Sequence, residues 1–500
     1  MRGATRLAVL AACAAGFLTL AASAAADHAT RPHTQNMHAL GHSAHPATFF
    51  GVSAAERNVN SDLAFWGDLI FNGNYDGFRI IKNSPGNPKE ISHPSCTGDQ
   101  GDIVVWDDVL VRSWNSPAPA GDTCDGQPVP EGFEGFHVWD ISDLEDPELV
   151  GSVELSARPE ADAFGCGSHT ATAVPDPVDN PTRLLIYNQT SGGPCPFVGI
   201  IEVPLDDPAS AQHLSDLPLR DLDGTVRTSG AAHDTGVILG DVNLMAVAGH
   251  TTANVFDIGE NEHPGGSPED PEFLYSIEEE GVCNEPGNPL CNGNWHSAGF
   301  SWDGETIILG WEPGGGSLGE CAADDPVVKK SAFFYDAADG TKLGQWTLPR
   351  DQLPTENCTI HNYNTVPLPN GNDVLVVGNY QAGTWVVDFT DPANARTLGW
   401  SDPPPLPQVT NPAGMLVNEL GGAWSSYWFN NFIYESEITK GLNVFRFSGR
   451  QTGGAIRLPH LNPQTQEFSL TGSSPGERAG KGKGSAPGQA KAKGKGKPAT

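Results

Sequence analysis

Long helical periodicity is missing from these 500 residues. No stretch repeats apolar side chains at a 3.6-residue spacing for long enough to build a helix-rich domain. Methionine is scarce, with four in all. Beyond the N-terminal segment, no run approaches the roughly 20 apolar residues of a membrane-spanning helix. Positive charge is also short: 28 Lys and Arg stand against 61 Asp and Glu, giving a formal net charge of −33. So acidic a body argues against sequence-specific nucleic-acid binding. There is no Gly-x-Ser-x-Gly elbow, no His-Glu-x-x-His and no P-loop, so serine-hydrolase, zincin and nucleotide-cofactor chemistry have no support. Carboxylates are plentiful, yet nothing singles out a pair for glycoside hydrolysis.

What is present points to β structure. Glycine (59) and proline (41) are abundant, and Trp, Asp and Asn fall in short apolar-polar alternations bounded by turn residues. The opening "MRGATRLAVLAACAAGFLTLAASAAADHAT" has Arg2 and Arg6, an apolar run and a small-residue end. That layout predicts a signal peptide over 1–26 and a secreted, extracellular, soluble chain. Residues 27–57 carry His28, His33, His38, His42 and His45, either a metal-collecting tract or a leader with incidental histidines. From Gly476 on, Arg478, Lys481, Lys483, Lys491, Lys493, Lys495 and Lys497 face only Glu477. Such a Gly/Ala/Pro/Lys tract over 476–500 is expected to be disordered: a solvated tail, or one touching anionic cell-envelope polymers by charge alone.

Internal repeats organise the rest. "NGNYDGFRIIKN" (72–83) and "VGNYQAGTWVVDFTDP" (377–392) share one phrase, and looser copies lie between and after them, each preceded by a strand ending at a turn. Seven units of about four short strands, each about 40 to 65 residues, predict an all-β, seven-bladed β-propeller of four-stranded antiparallel blades over 58–450, with a C-terminal extension over 451–475. One such sheet cannot cover both its apolar faces, so blades must stack around an axis until the ring closes.

The segment "GFHVWDISDLEDPELVGSVEL" (135–155) resembles the LVIVD-repeat family, and "GTWVVDFTDPANARTLGW" (383–400) is a second good copy. The resemblance implies a secreted or surface-anchored propeller and carries little about activity, since the motif is a folding motif.

His169, His233, His296 and His361 recur at intervals of about 64 residues, at the start of the strand expected to line the channel. They should converge near one mouth. Each is either a pin to a neighbouring blade's backbone or a ligand of a single transition-metal ion, for which imidazole suits copper, iron or zinc. Asp62, Asp102 and Asp234, one residue beyond the aligned histidine position, are candidate second-shell carboxylates. His250 and Glu312, at matching ends of second strands, are expected on the same face.

Nine cysteines include Cys13 of the signal segment; the remaining even number predicts disulfides. Loop positions on the histidine face pair Cys96 with Cys124, Cys166 with Cys195, Cys283 with Cys291, and Cys321 with Cys358. Two functions compete. One is a metal-dependent redox enzyme, like the carotenoid-cleaving oxygenases and copper propellers such as the methanethiol oxidases in ligand type and architecture, without matching local motifs. The other is a monomeric, non-catalytic extracellular propeller that binds a protein, peptide or glycan through a face rich in Trp, including Trp114, Trp295 and Trp311.

Overall fold

The computed structural model describes residues 31–156, 166–190, 195–240, 242–259, 265–279, 293–313, 316 and 321–470. Residues 1–26, where a signal peptide is expected, the basic tail, Cys283 and Cys291 lie outside the described residues. The regular secondary structure of those described is almost wholly β-strand, with a few short 3-10 turns. None of their helices is long and apolar enough to cross a membrane.

The strands form a propeller-like arrangement of antiparallel sheets. Antiparallel sets of four strands start at Asn60–Trp66, Gln100–Trp106, Thr170–Asp176, Thr235–Ile238 and Gly293–Phe300. An eight-stranded sheet joins two further sets of four through a parallel pairing of Asn362–Thr365 with Ala423–Phe429. These first strands are neighbours in chain order, and Ala423–Phe429 returns against Asn60–Trp66 to close the ring. The first strands are short and buried on both sides, as at Leu63, Ala64, Phe65 and Trp66, because each lies against neighbouring sheets and against the channel. The fourth strands, such as Glu148–Glu154, are half-buried to exposed at the rim.

Apolar clusters sit between consecutive sheets. Phe71, Phe78, Val105 and Trp139 join the first to the second, Val111, Val138, Ile186 and Ile201 the second to the third, and Phe65, Tyr427 and Tyr434 the last back to the first. Burying each such side chain is worth about 1.5–3 kcal/mol, which is why no sheet is stable alone. Trp114, Trp295 and Trp311, considered above for a binding face, are 1%, 0% and 3% exposed. They pack between sheets, and the large apolar area of an indole explains that choice.

Both chain ends enter the ring. Met37–Ala44, in the histidine-rich segment, pairs with Gly441–Phe447 and supplies the outer strand of the last set. After residue 450, His460–Leu461 pairs with the far end of Asn60–Trp66, and Thr465–Gln466 pairs in parallel with Thr235–Ile238. Between them Asn462 bonds both the N–H and the C=O of Val105 at 2.9 Å, and Thr465 Oγ1 donates to Ala173 O at 2.7 Å. The C-terminal segment therefore crosses the channel where the inner strands end, leaving the end where they begin as the open mouth.

Three of the expected disulfides are present: Cys96 with Cys124, Cys166 with Cys195, and Cys321 with Cys358.

Candidate metal centre at the channel mouth

The inner strands bulge where they reach the mouth. Partners shift between Asn60 and Leu63, between Gln100 and Ile103, between Trp295 and Ser297, and between Ala423 and Ser425. The residues left over include Asp62, Asp102, His296 and Trp424. A bulge frees a residue from the alternation of faces and re-aims its side chain.

The other three histidines precede the regular ladder and are fixed through their backbones. His169 N donates to Gln189 O at 2.8 Å, His233 N to Ala248 O at 2.7 Å and His361 N to Gly378 O at 3.0 Å. The four rings form a contiguous arc, with centroid separations of 4.6 Å from His169 to His233, 4.0 Å from His233 to His296 and 4.0 Å from His296 to His361. All four are buried. Burial pushes His233 down to about 3 and holds His169, His296 and His361 well below the ordinary imidazole value, with neighbouring imidazoles adding to the effect. Each ring is therefore neutral at physiological pH, the state in which imidazole ligates a metal.

Their ring nitrogens differ in partner. His361 Nδ1 donates to Trp424 O of the next set of strands at 2.5 Å, and His233 Nδ1 lies 3.1 Å from Asp234 Oδ1. His169 Nδ1 and His296 Nδ1 are buried without a hydrogen-bond partner. Of the expected carboxylates, Asp234 and Glu312 join the cluster. Asp234 Oδ2 is 3.8 Å from His296 Nδ1. Glu312 Oε2 is 3.8 Å from His233 Nε2, and its Oε1 is 3.9 Å from His296 Nε2. Burial pushes Asp234 and Glu312 each up to about 8, and Asp234 adds to the shift of Glu312. One ligand atom each from His233, Asp234 and His296, and from His296, Glu312 and His361, fall within 4.8 Å of one another.

Asp62 and Asp102 have other partners. Asp62 accepts from Leu63 N at 2.8 Å, Tyr427 OH at 2.6 Å and Gln464 Nε2 at 2.8 Å, and Asp102 accepts from Ala171 N at 2.6 Å. Burial raises both, Asp102 the more strongly. His250 takes a left-handed backbone, φ 49°, and accepts from Trp295 N; its residue is exposed and does not line the cavity.

The cluster opens into a cavity of about 190 Å3 whose other walls include Tyr75, Tyr380, Trp424, Phe49 and Phe50. Tyr380 OH donates to Glu312 Oε1 at 3.3 Å. The Phe49 and Phe50 amides both donate to Glu419 Oε1, at 3.1 and 3.0 Å, which ties this stretch of the N-terminal segment over the mouth. Sequence reasoning missed these aromatics, although the repeated Gly-Asn-Tyr held the signal: Tyr75 and Tyr380 are its two tyrosines.

No family model and no curated protein matches the sequence. Among solved structures, the fold is similar to the periplasmic gluconolactonase PpgL of Pseudomonas aeruginosa, with 12% identity, a TM-score of 0.46, and coverage of 82% of this chain and 97% of that one. It is also similar to the extracellular domain of the putative hybrid two-component system BT4673 from B. thetaiotaomicron, with 12% identity, a TM-score of 0.40, and coverage of 80% of this chain and 40% of that one. Neither likeness bears on the chemistry of the mouth.

Proposed function

We infer that the chain is an exported, seven-bladed LVIVD-type propeller with a mononuclear transition-metal centre at one mouth of its channel, acting as a metal-dependent redox enzyme on a small molecule. The eight-stranded sheet reads as two blades sharing a parallel contact, which with the five separate sheets makes seven. Both LVIVD-like segments fall on third and fourth strands of their sheets, Gly135–Asp140 with Glu148–Glu154 and Thr384–Asp388 with Arg396–Ser401. Disulfides and the signal-like N-terminus support export.

The observation that carries the metal reading is the convergence of His233 Nε2 and His296 Nε2 on Glu312, at 3.8 and 3.9 Å, with His361 beside them in the same buried group. Buried imidazoles and a carboxyl this close without hydrogen bonds between them are costly, and a shared cation would relieve that cost. His169, His233, His296 and His361 would hold the ion, with Glu312 beside them and Asp234 orienting His233 through Nδ1. Copper or iron would supply one-electron chemistry there, and zinc a Lewis acid. The closed far end and the aromatic walls give a water-poor cup suited to a small organic substrate.

The competing reading, a binding propeller with structural histidines, draws on the bond from His361 Nδ1 to the Trp424 carbonyl, which pins adjacent sets of strands. Elemental analysis of the secreted, intact protein separates the two. Loss of about one equivalent of copper, iron or zinc between the wild type and a His233→Ala/His296→Ala variant that retains its β-sheet circular dichroism is the expected result. Equal metal content in the two proteins would return the histidines to structure.

A further inference from the structure

A second group of potential ligands lies away from the channel, where the ring of sheets closes. His45 follows the strand Met37–Ala44 and is anchored on the last set of strands, its N–H donating to Lys440 O at 2.9 Å. Asp76 lies in the turn between Leu69–Asn74 and Gly77–Lys82 of the first sheet, and His93 follows that sheet's outer strand, Lys89–Ser92. The three belong to the two ends of the ring and meet across the seam.

Their potential donor atoms lie close together. His93 Nε2 is 3.5 Å from Asp76 Oδ1, and the rings of His45 and His93 stand 5.1 Å apart, centroid to centroid, at 80°. One ligand atom from each residue falls within 4.8 Å of the others. His45 Nδ1, Asp76 Oδ1 and His93 Nε2 are all buried atoms without a hydrogen-bond partner. Buried polar atoms without hydrogen bonds cost about 1–3 kcal/mol each, unless something shared satisfies them. The positive charge of Arg79 nearby is committed elsewhere: its guanidinium donates to Ser43 Oγ at 2.6 Å and to Glu90 Oε2 at 2.7 Å, crossing the same seam.

The geometry points to a second metal site, in which His45, Asp76 and His93 bind a divalent transition-metal ion of the zinc class and staple the N-terminal strap to the first sheet. Two imidazoles and one carboxylate suit zinc and its neighbours and do not suit magnesium or calcium, which take oxygen ligands. Ligand atoms about 2.0–2.2 Å from a shared tetrahedral zinc lie about 3.3–3.6 Å apart; His93 Nε2 and Asp76 Oδ1 already have that spacing, and a rotation of the His45 side chain closes the rest. The side chains of His93 and Asp76 are 26% and 36% exposed, which gives the ion a path in and leaves room for water as a further ligand. The site does not depend on the channel centre and is tested separately from it.

The intact protein, stripped with a chelator, is titrated with Zn2+ in equilibrium dialysis. His93→Ala and Asp76→Asn should each remove about one bound equivalent relative to wild type, or weaken it at least tenfold, with circular dichroism unchanged. His38→Ala, at a neighbouring position of the same histidine-rich segment, should leave the stoichiometry as it was. Equal binding by the wild type and His93→Ala overturns the site, as does an equal loss in His38→Ala. Loss of an equivalent in His296→Ala but not in His93→Ala would sustain the channel centre alone. The opposite pattern would sustain the seam site while removing the channel centre.

Discussion

Glu312 faces His233 across the mouth of the channel with Oε2 3.8 Å from Nε2. That is too long for a hydrogen bond and within the span of two ligands sharing one ion at about 2.0–2.2 Å. Glu312→Gln keeps the shape and removes the ionisable group. In the metal-free protein, where burial already keeps Glu312 protonated near neutrality, the substitution should change urea stability by less than about 0.5 kcal/mol. Affinity for Zn2+ or Cu2+ should fall at least tenfold by calorimetry. Unchanged affinity would remove Glu312 from the ligand set.

The same groups set a pH dependence for the metal-free protein. Glu312 and Asp234 are raised to about 8 in the folded state, so the stability they contribute is fully present below their ordinary carboxyl values and is lost as pH rises toward 8. The four histidines are depressed; their contribution is present above the ordinary imidazole value near 6.5 and is lost as pH falls below it. Between pH 6.5 and 8 the histidine contribution levels off within about one unit, and the loss from the two carboxyls dominates. Urea midpoints should therefore fall across that window, with a shallower slope in Glu312→Gln. Bound zinc requires Glu312 ionised, so stabilisation by added metal should be larger at pH 8 than at pH 6. A flat midpoint between 6.5 and 8 in the metal-free protein would contradict the burial of these carboxyls.

Much of this was readable from residue order. The period of the repeat placed the histidines at equivalent starts of inner strands, and the three described cysteine pairs follow from loops that share a face. What escaped has a physical cause. Bulges decide which residue of an inner strand turns into the mouth, and a bulge at Trp424 or Asp62 leaves no mark in an alternation pattern that is apolar on both faces. Chain ends carry no repeat, so neither the strand Met37–Ala44 nor the channel-crossing segment around Asn462 could be found by period. Glu312 was visible as a position, while its reach to two imidazoles depends on how adjacent sheets stack.

The N-terminal strap is structural, and its anchor is measurable. Arg31 and Glu435, both buried, pair at 2.7 Å, and Glu435 also accepts from Asn443 Nδ2 at 2.7 Å. Glu435→Gln strands the guanidinium charge in the interior and should cost about 3–5 kcal/mol in urea unfolding. Arg31→Met/Glu435→Leu, which removes both charges, should recover a large part of that loss. A loss below about 1 kcal/mol in the single variant would mean that water reaches the pair.

At the far end of the channel, Asn462 imitates a strand. Its side chain accepts from Val105 N and donates to Val105 O, both at 2.9 Å, in a buried position. Asn462→Ala leaves both backbone groups of Val105 without these partners, and at about 1–3 kcal/mol for each orphan the expected destabilisation is about 2–6 kcal/mol. The local readout is sharper than the global one. If the segment closes the channel, the Val105 amide should exchange with deuterium far faster in the variant than in the wild type, while amides on the rim strand Glu148–Glu154 of the same sheet keep their rates. Uniform acceleration across the sheet would instead mean that Asn462 holds the whole ring together, and that the cup has no separately stable floor.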